Sequence, residues 1–464
     1  YPDISGEMVE PVGNHYVIAR PVYSENAFNE EHEKLHRYHK TFWDHLKLYF
    51  SCSPQRAKKI ALRLFPVVSW LPAYRFREWI LNDIISGINT GLVAVLQGLA
   101  FALLVNVPPS YGLYAAFFPV LVYFIFGTSR HISVGPFPVL SLMVGGVVTR
   151  LVPDDSTGNG TSTNTSAIND ERVMVAASVT FLSGVVQLLL GIFQFGFIVI
   201  YLSQSLISGF TTAAAIHVLV SQLKFMFQLS VPGFNVPFGI IYVSASQITK
   251  ANVADLVTSL IVLLIVFVVK EMNDRYKEKL PAPIPIELLV VTLISYFVNL
   301  EEKFDVAVVG KLEEGFHAPV APDADILQKC IGDGISIAIV GFAVAFSVAK
   351  VYSIKHDYPI DGNQELIAFG LGNIVGGSFK GFASSTALSR SGVQESTGGK
   401  TQIAGIISSV IVLVVILAIG FLLAPLQKVI WVVTFLSAIF LGLDIGLAAA
   451  VAFQLLTVVI RSQM

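Results

Sequence analysis

The sequence is poor in charge for its length. Only 13 per cent of its 464 residues are charged, 54 per cent are hydrophobic, and the mean hydropathy is +0.69. Soluble domains average about 25 per cent charged residues, so this composition excludes an ordinary soluble protein. A net charge of -2 and the lack of a basic patch with interleaved aromatics give no reason to expect nucleic acid as a partner. The chain is therefore predicted to be an all-α polytopic membrane protein.

Cysteine and nucleotide-binding motifs are scarce as well. The chain has two cysteines, Cys52 and Cys330, too few for a disulfide framework or a cysteine-rich metal site. It contains no P-loop, and no nucleophile, base and orienting group recur in one plausible site, so we expect no enzyme and no cofactor. No cleavable signal peptide opens the chain, so its first membrane helix is expected to direct insertion.

Long apolar runs supply the membrane crossings. A helix of about 20 apolar residues spans the hydrocarbon, and Ile403–Ala424 carries no charge at all. The polar stretch Asp361–Glu365 is predicted to break the chain between the span Ile331–Ala349 and the apolar segment Leu366–Gly376. Further spans are predicted at Asp83–Val105, Pro109–Phe126, Ile132–Val148, Val173–Phe193, Ser205–Phe227, Val253–Val269, Ile331–Ala349 and Leu366–Gly376.

Basic residues and sequons orient the chain. Six basic residues within Pro54–Ile80 precede the first span and place the amino terminus in the cytosol. After three crossings, the loop Leu151–Glu171 lacks Lys and Arg and carries sequons at Asn159 and Asn164, which favour the outside. The side of Lys270–Lys279 stays open, because its basic charge favours the cytosol whereas seven crossings place it outside.

Two predicted segments are interrupted. In Gly135–Pro138, reading GPFP, two prolines within three residues fit a helix start better than a helix interior. The polar run Gly381–Gln402 contains Arg390 and Lys400, and it is either an ordinary cytosolic loop or irregular backbone that lines a wet cavity. Each interruption comes third in its half of the chain. Such paired interruptions are typical of transporter sites at an inverted-repeat interface.

This arrangement predicts an anion site. The amino ends of two half-helices would face each other, each with free N–H groups and partial positive charge. Arg390 would add positive electrostatic potential without necessarily touching the ion, and Ser389 would donate a hydrogen bond from its hydroxyl. Gln97 and Phe101, one turn apart, offer an amide donor and an aromatic edge. From the residues alone, core packing is the simpler interpretation for Phe101 and Phe137.

Glu287 has two interpretations. It follows the proline-rich run Pro281–Ile286 and falls in the first turn of a predicted span. An acid there favours the helix dipole, which is the simpler interpretation. A role in coupling protons or substrate to transport is the alternative.

A known family resembles this sequence. Pro109–Ala116, reading PSYGLYAA, and its continuation over Tyr123–Arg130 resemble the signature of the sulfate-permease anion transporters, solute carrier family 26. The resemblance covers nearly the whole chain, including Ser389–Gln402. It implies a uracil-permease-like fold with two inverted repeats of seven segments (7+7), core and gate domains, an elevator motion and a homodimer.

The resemblance also implies site residues and domains. It places a cytosolic arm with interfacial helices at 1–80, the core at about 81–194 and 285–402, and the gate at about 195–284 and 403–464. Family members continue into a cytosolic STAS domain, whereas this chain stops at Met464. About 30 residues, one crossing with its loop, are expected to be missing near Val429 and Ile430. The family's anion pocket maps onto Gln97, Phe101, Phe137, Leu388, Ser389 and Arg390.

Four segments resemble the family's chloride/bicarbonate exchangers most: Pro11–Phe28, Ser51–Lys59, Tyr352–Leu366 and Gly381–Ile406. They imply electroneutral exchange of chloride for bicarbonate at the plasma membrane, apical in epithelium. Alternatives on the same scaffold are an exchanger that also carries iodide, a channel-like anion conductor and a voltage-sensitive motor. The expected partners are chloride, bicarbonate, membrane lipid and a second copy of the chain.

Replacing Asn159 and Asn164 together by Gln is expected to increase the electrophoretic mobility of the full-length protein from mammalian cells, because an external loop would carry N-linked glycan. Removing glycan enzymatically from the parent should give the same mobility. The control Thr161→Ser keeps the first sequon intact and should leave the mobility unchanged. Mobility that responds to neither the enzyme nor the double substitution would contradict the external placement.

Overall fold

The computed structural model describes residues 64–153, 162–197 and 315–419, together with Leu62, Gly209, Thr212 and Ala213. By its internal contacts the chain divides into two units, Tyr1–Lys58 and Lys59–Met464. Several predictions fall outside the described residues. These are the cytosolic arm, most of the gate and so the count of fourteen segments, Asn159, Lys270–Lys279, Glu287 and the junction near Val429.

Helices dominate the described residues. In chain order they are α1 (Pro66–Trp70), α2 (Phe76–Val105), α3 (Ser110–Phe126), β1 (Val134–Pro136), α4 (Pro138–Leu151), α5 (Ser162–Ile192), α6 (Ala324–Lys329), α7 (Ile331–Lys355), α8 (Gly362–Ser378), β2 (Ser384–Thr386), α9 (Leu388–Ser396) and α10 (Ile403–Val414). Short 3₁₀ turns follow α1 and α5, and a π-helical turn, Val415–Ile419, extends α10. Within these ranges α2, α5 and α7 are long and apolar enough to cross a membrane, which agrees with the predicted class.

Both interrupted segments adopt the predicted form, an extended lead-in followed by a helix. Pro138 occupies the first turn of α4, where its missing N–H costs no helical hydrogen bond. Strands β1 and β2 pair antiparallel, with Val134 opposite Thr386 and Pro136 opposite Ser384. Because each strand leads into its helix, α4 and α9 run in opposite directions from adjacent amino ends.

Several of the remaining described helices pack closely against one another. Helix α8 packs along α5, and α10 packs along α2 and α3. Glycines permit the closest approaches: a Cβ at Gly112 would overlap the carbonyl oxygen of Gly98, and one at Gly370 would lie 2.6 Å from the backbone nitrogen of Leu188. Small residues let membrane helices approach until their backbones touch.

Hydrogen bonds at the helix ends define two sides. Asn106 donates to Thr149 over 3.1 Å and joins the carboxyl ends of α2 and α4. At the opposite side, the amide of Gln364 donates to the carbonyl oxygens of Leu64 and Phe126 over 2.9 Å each. The chain before α2 and the chain after α4 therefore lie on opposite sides, as three crossings require.

Two predicted boundaries are wrong. The break predicted at Asp361–Glu365 lies earlier, at residues 356–361, since the Asp361 carboxylate accepts hydrogen bonds from the backbone N–H groups of Asn363 and Gln364 and caps α8. The predicted loop before the fourth span is shorter than expected, because α5 begins at Ser162 and includes Asn164. Hydropathy marks only the apolar part of a helix, whereas its hydrogen bonds continue through polar residues.

Gly112→Ala is expected to prevent folding or lower the melting temperature strongly, because the added methyl group overlaps the backbone of α2. The melting temperature is measured in detergent by fluorescence-detected gel filtration after heating. The matched control is Gly332→Ala in α7, where a Cβ meets nothing within 4 Å. Alanine there should be neutral or stabilise by up to about 1 kcal/mol. Equal melting temperatures for the two variants would contradict the close packing.

Candidate functional site

The amino ends of α4 and α9 form the centre of the site. Phe137 and Ala387 precede these helices in extended conformation, with φ of -134° and -99°, and neither helix has a side-chain cap. Their first-turn N–H groups are thus left for another acceptor, and the helix dipoles add partial positive charge. Two adjacent helix amino ends are suited to an anion.

Arg390 is wholly buried in the first turn of α9, with an exposed fraction of 0%. Its Nε donates to the Ser133 hydroxyl over 2.9 Å, and its Nη2 donates to the Ser133 carbonyl over 3.2 Å. Its Nη1 donates to Gln97 Oε1 over 2.7 Å and to the Pro136 carbonyl over 3.2 Å. All these acceptors are neutral, so within the described part of the chain no carboxylate pairs with this guanidinium.

The bond to Arg390 fixes the orientation of the Gln97 amide. Because Oε1 accepts from Arg390, the amide nitrogen is directed elsewhere, and it lies 3.4 Å from Ser389 Oγ. Ser389 is half-buried at the start of α9. The exposed side of this group therefore presents donors: an amide N–H, a hydroxyl and backbone N–H groups.

The aromatic candidates lie in one apolar cluster. Phe101 is 5% exposed within it, and half-buried Phe137 packs against it. Half-buried Leu388 packs against a second cluster that includes Ile132 and Val134. Phe101 thus contributes to the core, while Phe137 and Leu388 leave part of their surface beside the helix amino ends.

Sequence reasoning missed two residues that shape this group. Ser133 gives Arg390 two acceptors although it lies 257 positions away, and no local spacing signals such a contact. Gly135 has a φ of +148°, and a Cβ there would lie 2.9 Å from Arg390 Nη2. Only glycine leaves room for the guanidinium in this conformation.

The polar run Gly381–Gln402 is not an ordinary loop. At its carboxyl end the buried Asp83 carboxylate accepts from the backbone N–H of Lys400 over 2.7 Å and from the Thr401 hydroxyl over 2.7 Å. The amide of Gln402 donates to the carbonyl oxygens of Ser129 and Ile132 over 3.0 and 2.8 Å. Arg390 is buried, whereas Lys400 is exposed.

The linker between α3 and β1 is fixed in a similar way. The wholly buried Glu365 accepts from the Tyr123 hydroxyl over 2.8 Å and from the Thr128 hydroxyl over 2.6 Å. Tyr358, in the connection between α7 and α8, lies with its hydroxyl 2.9 Å from Ser129 Oγ. Burial raises the pKa of Tyr358, so its hydroxyl stays protonated at neutral pH. These bonds fix the lead-in that carries Ser133 and Phe137.

Comparison with families and curated proteins gives consistent matches. The profile described as the sulfate permease family matches residues 80–457. The chain is 63% identical to the chloride anion exchanger of Mus musculus and 60% identical to that of Homo sapiens, over 98% of this chain in each case. It is 50% identical to pendrin of Homo sapiens over 89% of this chain and 55% of pendrin. The chain spans 66% of the length of either chloride anion exchanger.

Solved structures share this fold. The murine solute carrier 26 family member A9 anion transporter, in its inward-facing state, superposes with a TM-score of 0.77 at 33% identity, over 96% of this chain and 76% of that one. The transmembrane domain of the cyanobacterial bicarbonate transporter BicA gives 0.65 at 20% identity, over 79% and 89% of the two chains. The predicted helical transporter fold is confirmed.

Arg390→Ala is expected to lower both the melting temperature and its rise with added chloride. It leaves the Ser133 hydroxyl oxygen and Gln97 Oε1 without their donor, each at a cost of about 1–3 kcal/mol. Arg390→Lys keeps the charge but not the planar fork, so it should recover part of the chloride effect while the protein remains unstable. A chloride-dependent shift equal to the parent's in Arg390→Ala would remove Arg390 from anion binding.

Proposed function

This chain belongs to the sulfate permease family, and from that premise we propose that it exchanges chloride for bicarbonate across the plasma membrane. The observation that carries the proposal is the buried Arg390, without a carboxylate partner among the described residues, beside two uncapped helix amino ends. The similarity to proteins named chloride anion exchangers supports chloride as one substrate.

The donor set explains why an anion would bind. Ser389 and Gln97 offer a hydroxyl and an amide N–H, and the helix ends add backbone N–H groups. Phe101 and Phe137 offer ring edges, which carry partial positive charge. Chloride and bicarbonate are both monovalent acceptors of hydrogen bonds, so one site of donors would serve either ion.

The same electrostatics account for exchange. An empty site leaves the positive charge of Arg390 and the helix ends uncompensated, and moving such a charge within the membrane is costly. A bound monovalent anion offsets it, so the core would move against the gate only when loaded, in an elevator motion. Exchange of one monovalent anion for another is then electroneutral.

The proposed mobile unit extends the predicted core. It comprises about residues 81–194 and 285–402, and we add α10, because α10 packs along α2 and α3. The gate, which would stay fixed, comprises the rest of the membrane domain. We further propose that the protein acts as a homodimer, with a cytosolic amino terminus, in the apical membrane of epithelia.

Full-length protein in cells with little endogenous exchange provides the test. Removing external chloride in bicarbonate buffer should reversibly raise intracellular pH without appreciable current, because chloride leaves as bicarbonate enters. Intracellular pH and membrane current are recorded together. Arg390→Ala should lower the rate of alkalinisation at least about tenfold, the effect of losing roughly 1.4 kcal/mol of anion stabilisation.

Lys400→Ala is the matched control, since this cation is exposed and binds Asp83 through its backbone nitrogen alone. It should retain the parent rate at equal surface expression. Large currents that reverse at the chloride potential would favour a channel. Voltage-dependent capacitance without a pH response would favour a motor, and iodide uptake at a rate equal to that of bicarbonate would favour the broader exchanger.

A further inference from the structure

A line of buried polar side chains follows one face of α2. Asp83, Ser86, Thr90 and Gln97 lie within about 60° of one another at 3.6 residues per turn, with exposed fractions of 0, 0, 0 and 9%. This line, which we name the polar seam, runs from the first third of the helix to the candidate anion site. It packs against α9 and the turn that follows α9.

Both ends of the polar seam are hydrogen-bonded. At one end Gln97 bonds Arg390 over 2.7 Å. At the other end Asp83 accepts from Lys400 and Thr401, as described above. Between them, the Ser86 hydroxyl donates to the backbone carbonyl of Gln394 over 2.7 Å, which fixes α9 against α2.

Thr90, in the middle of the polar seam, and Gln394, on the facing helix α9, have polar atoms without partners among the described residues. Gln394 is 0% exposed, and neither its Oε1 nor its Nε2 has a partner in the described structure. The hydroxyl of Thr90, which is also 0% exposed, likewise has no hydrogen-bond partner among the described residues. Thr90 lies one turn beyond Ser86 on α2, and Gln394 lies one turn beyond Arg390 on α9.

Buried groups of this kind need hydrogen-bond partners. Buried amides and hydroxyls are nearly always hydrogen-bonded, because an unpaired group has lost its bonds to solvent without replacement. Here an amide that has both a donor and an acceptor and a hydroxyl that can act as either belong to two helices in contact. A single small molecule that both donates and accepts would satisfy them.

The chemistry selects among small ligands. An anion would face the acceptor Oε1 of Gln394 unfavourably. A cation would be repelled by Arg390 one turn away, and the seam's own carboxylate, Asp83, is committed to other donors. Water donates and accepts and carries no charge, and buried waters typically make about three such bonds.

We propose that Thr90 and Gln394 hold an ordered water within the core, where it bridges α2 and α9 beneath the anion site. Helix α9 carries Ser389 and Arg390 in its first turn, so this bridge joins the anion-binding end of α9 to α2. The water is part of the protein's structure and is present with or without chloride. The proposal does not depend on which anions the protein exchanges.

Electron cryo-microscopy of the full-length protein at a resolution that shows waters is the direct test. Density within hydrogen-bond distance of the Gln394 amide and Thr90 Oγ1 is expected in sodium chloride, in sodium gluconate and in N-methylglucamine chloride. Density that disappears without chloride would assign an anion, and density that disappears without sodium would assign a cation. Either result, or a direct bond between Thr90 and Gln394, would overturn the water site.

A double-mutant cycle tests the same bridge by stability. Thr90→Val and Gln394→Met keep side-chain volume and remove the polar atoms. Each alone should lower the melting temperature, since the water loses a partner, and the double variant should lower it by less than the sum. Additive shifts would overturn the bridge. The control Thr90→Ser keeps the hydroxyl and should keep both the water density and the melting temperature. If the apolar variants fail to fold, the cryo-microscopy maps of the parent protein decide.

Discussion

The arrangement of this membrane domain depends on one buried guanidinium. A charge within a bilayer protein is tolerated only when its hydrogen bonds are complete, and those of Arg390 go to neutral oxygens from α2 and from the lead-in to α4. The two interrupted segments are thereby fastened to each other. The position of the Arg390 guanidinium explains three other features. It requires glycine at position 135, it orients the Gln97 amide, and it uses Ser133 as an acceptor.

Irregular backbone at membrane depth is satisfied by protein groups. Strands β1 and β2 pair with each other, and the Asn373 side chain accepts from the Ser384 N–H over 2.9 Å and donates to the Ser384 carbonyl over 3.3 Å. Without such partners each backbone group would cost several kcal/mol in hydrocarbon. The pairing therefore satisfies the extended backbone from which α4 and α9 begin.

Charge is segregated within the described core. The buried carboxylates Asp83 and Glu365 accept from hydroxyl and backbone N–H donors in turns and linkers. Neither pairs with Arg390, so the site keeps its positive charge. The acids hold the flanking chain in place, whereas Arg390 and the helix ends contribute positive potential at the proposed anion site. The polar seam connects these two kinds of group along α2.

The sequence by itself determined the membrane class, the two interruptions and the family, because hydropathy, proline and motif signals are local. It also singled out Arg390, since a cation in an apolar context is conspicuous. It misplaced the starts of α5 and α8, because capping by Asp361 and polar helical turns leave no mark in hydropathy. Only the tertiary structure decided which groups satisfy Arg390 and Asp83, and which buried atoms of Gln394 lack a partner among the described residues. The partners described above for Arg390 and Asp83 lie hundreds of positions away in the chain, and no periodicity encodes contacts across such separations.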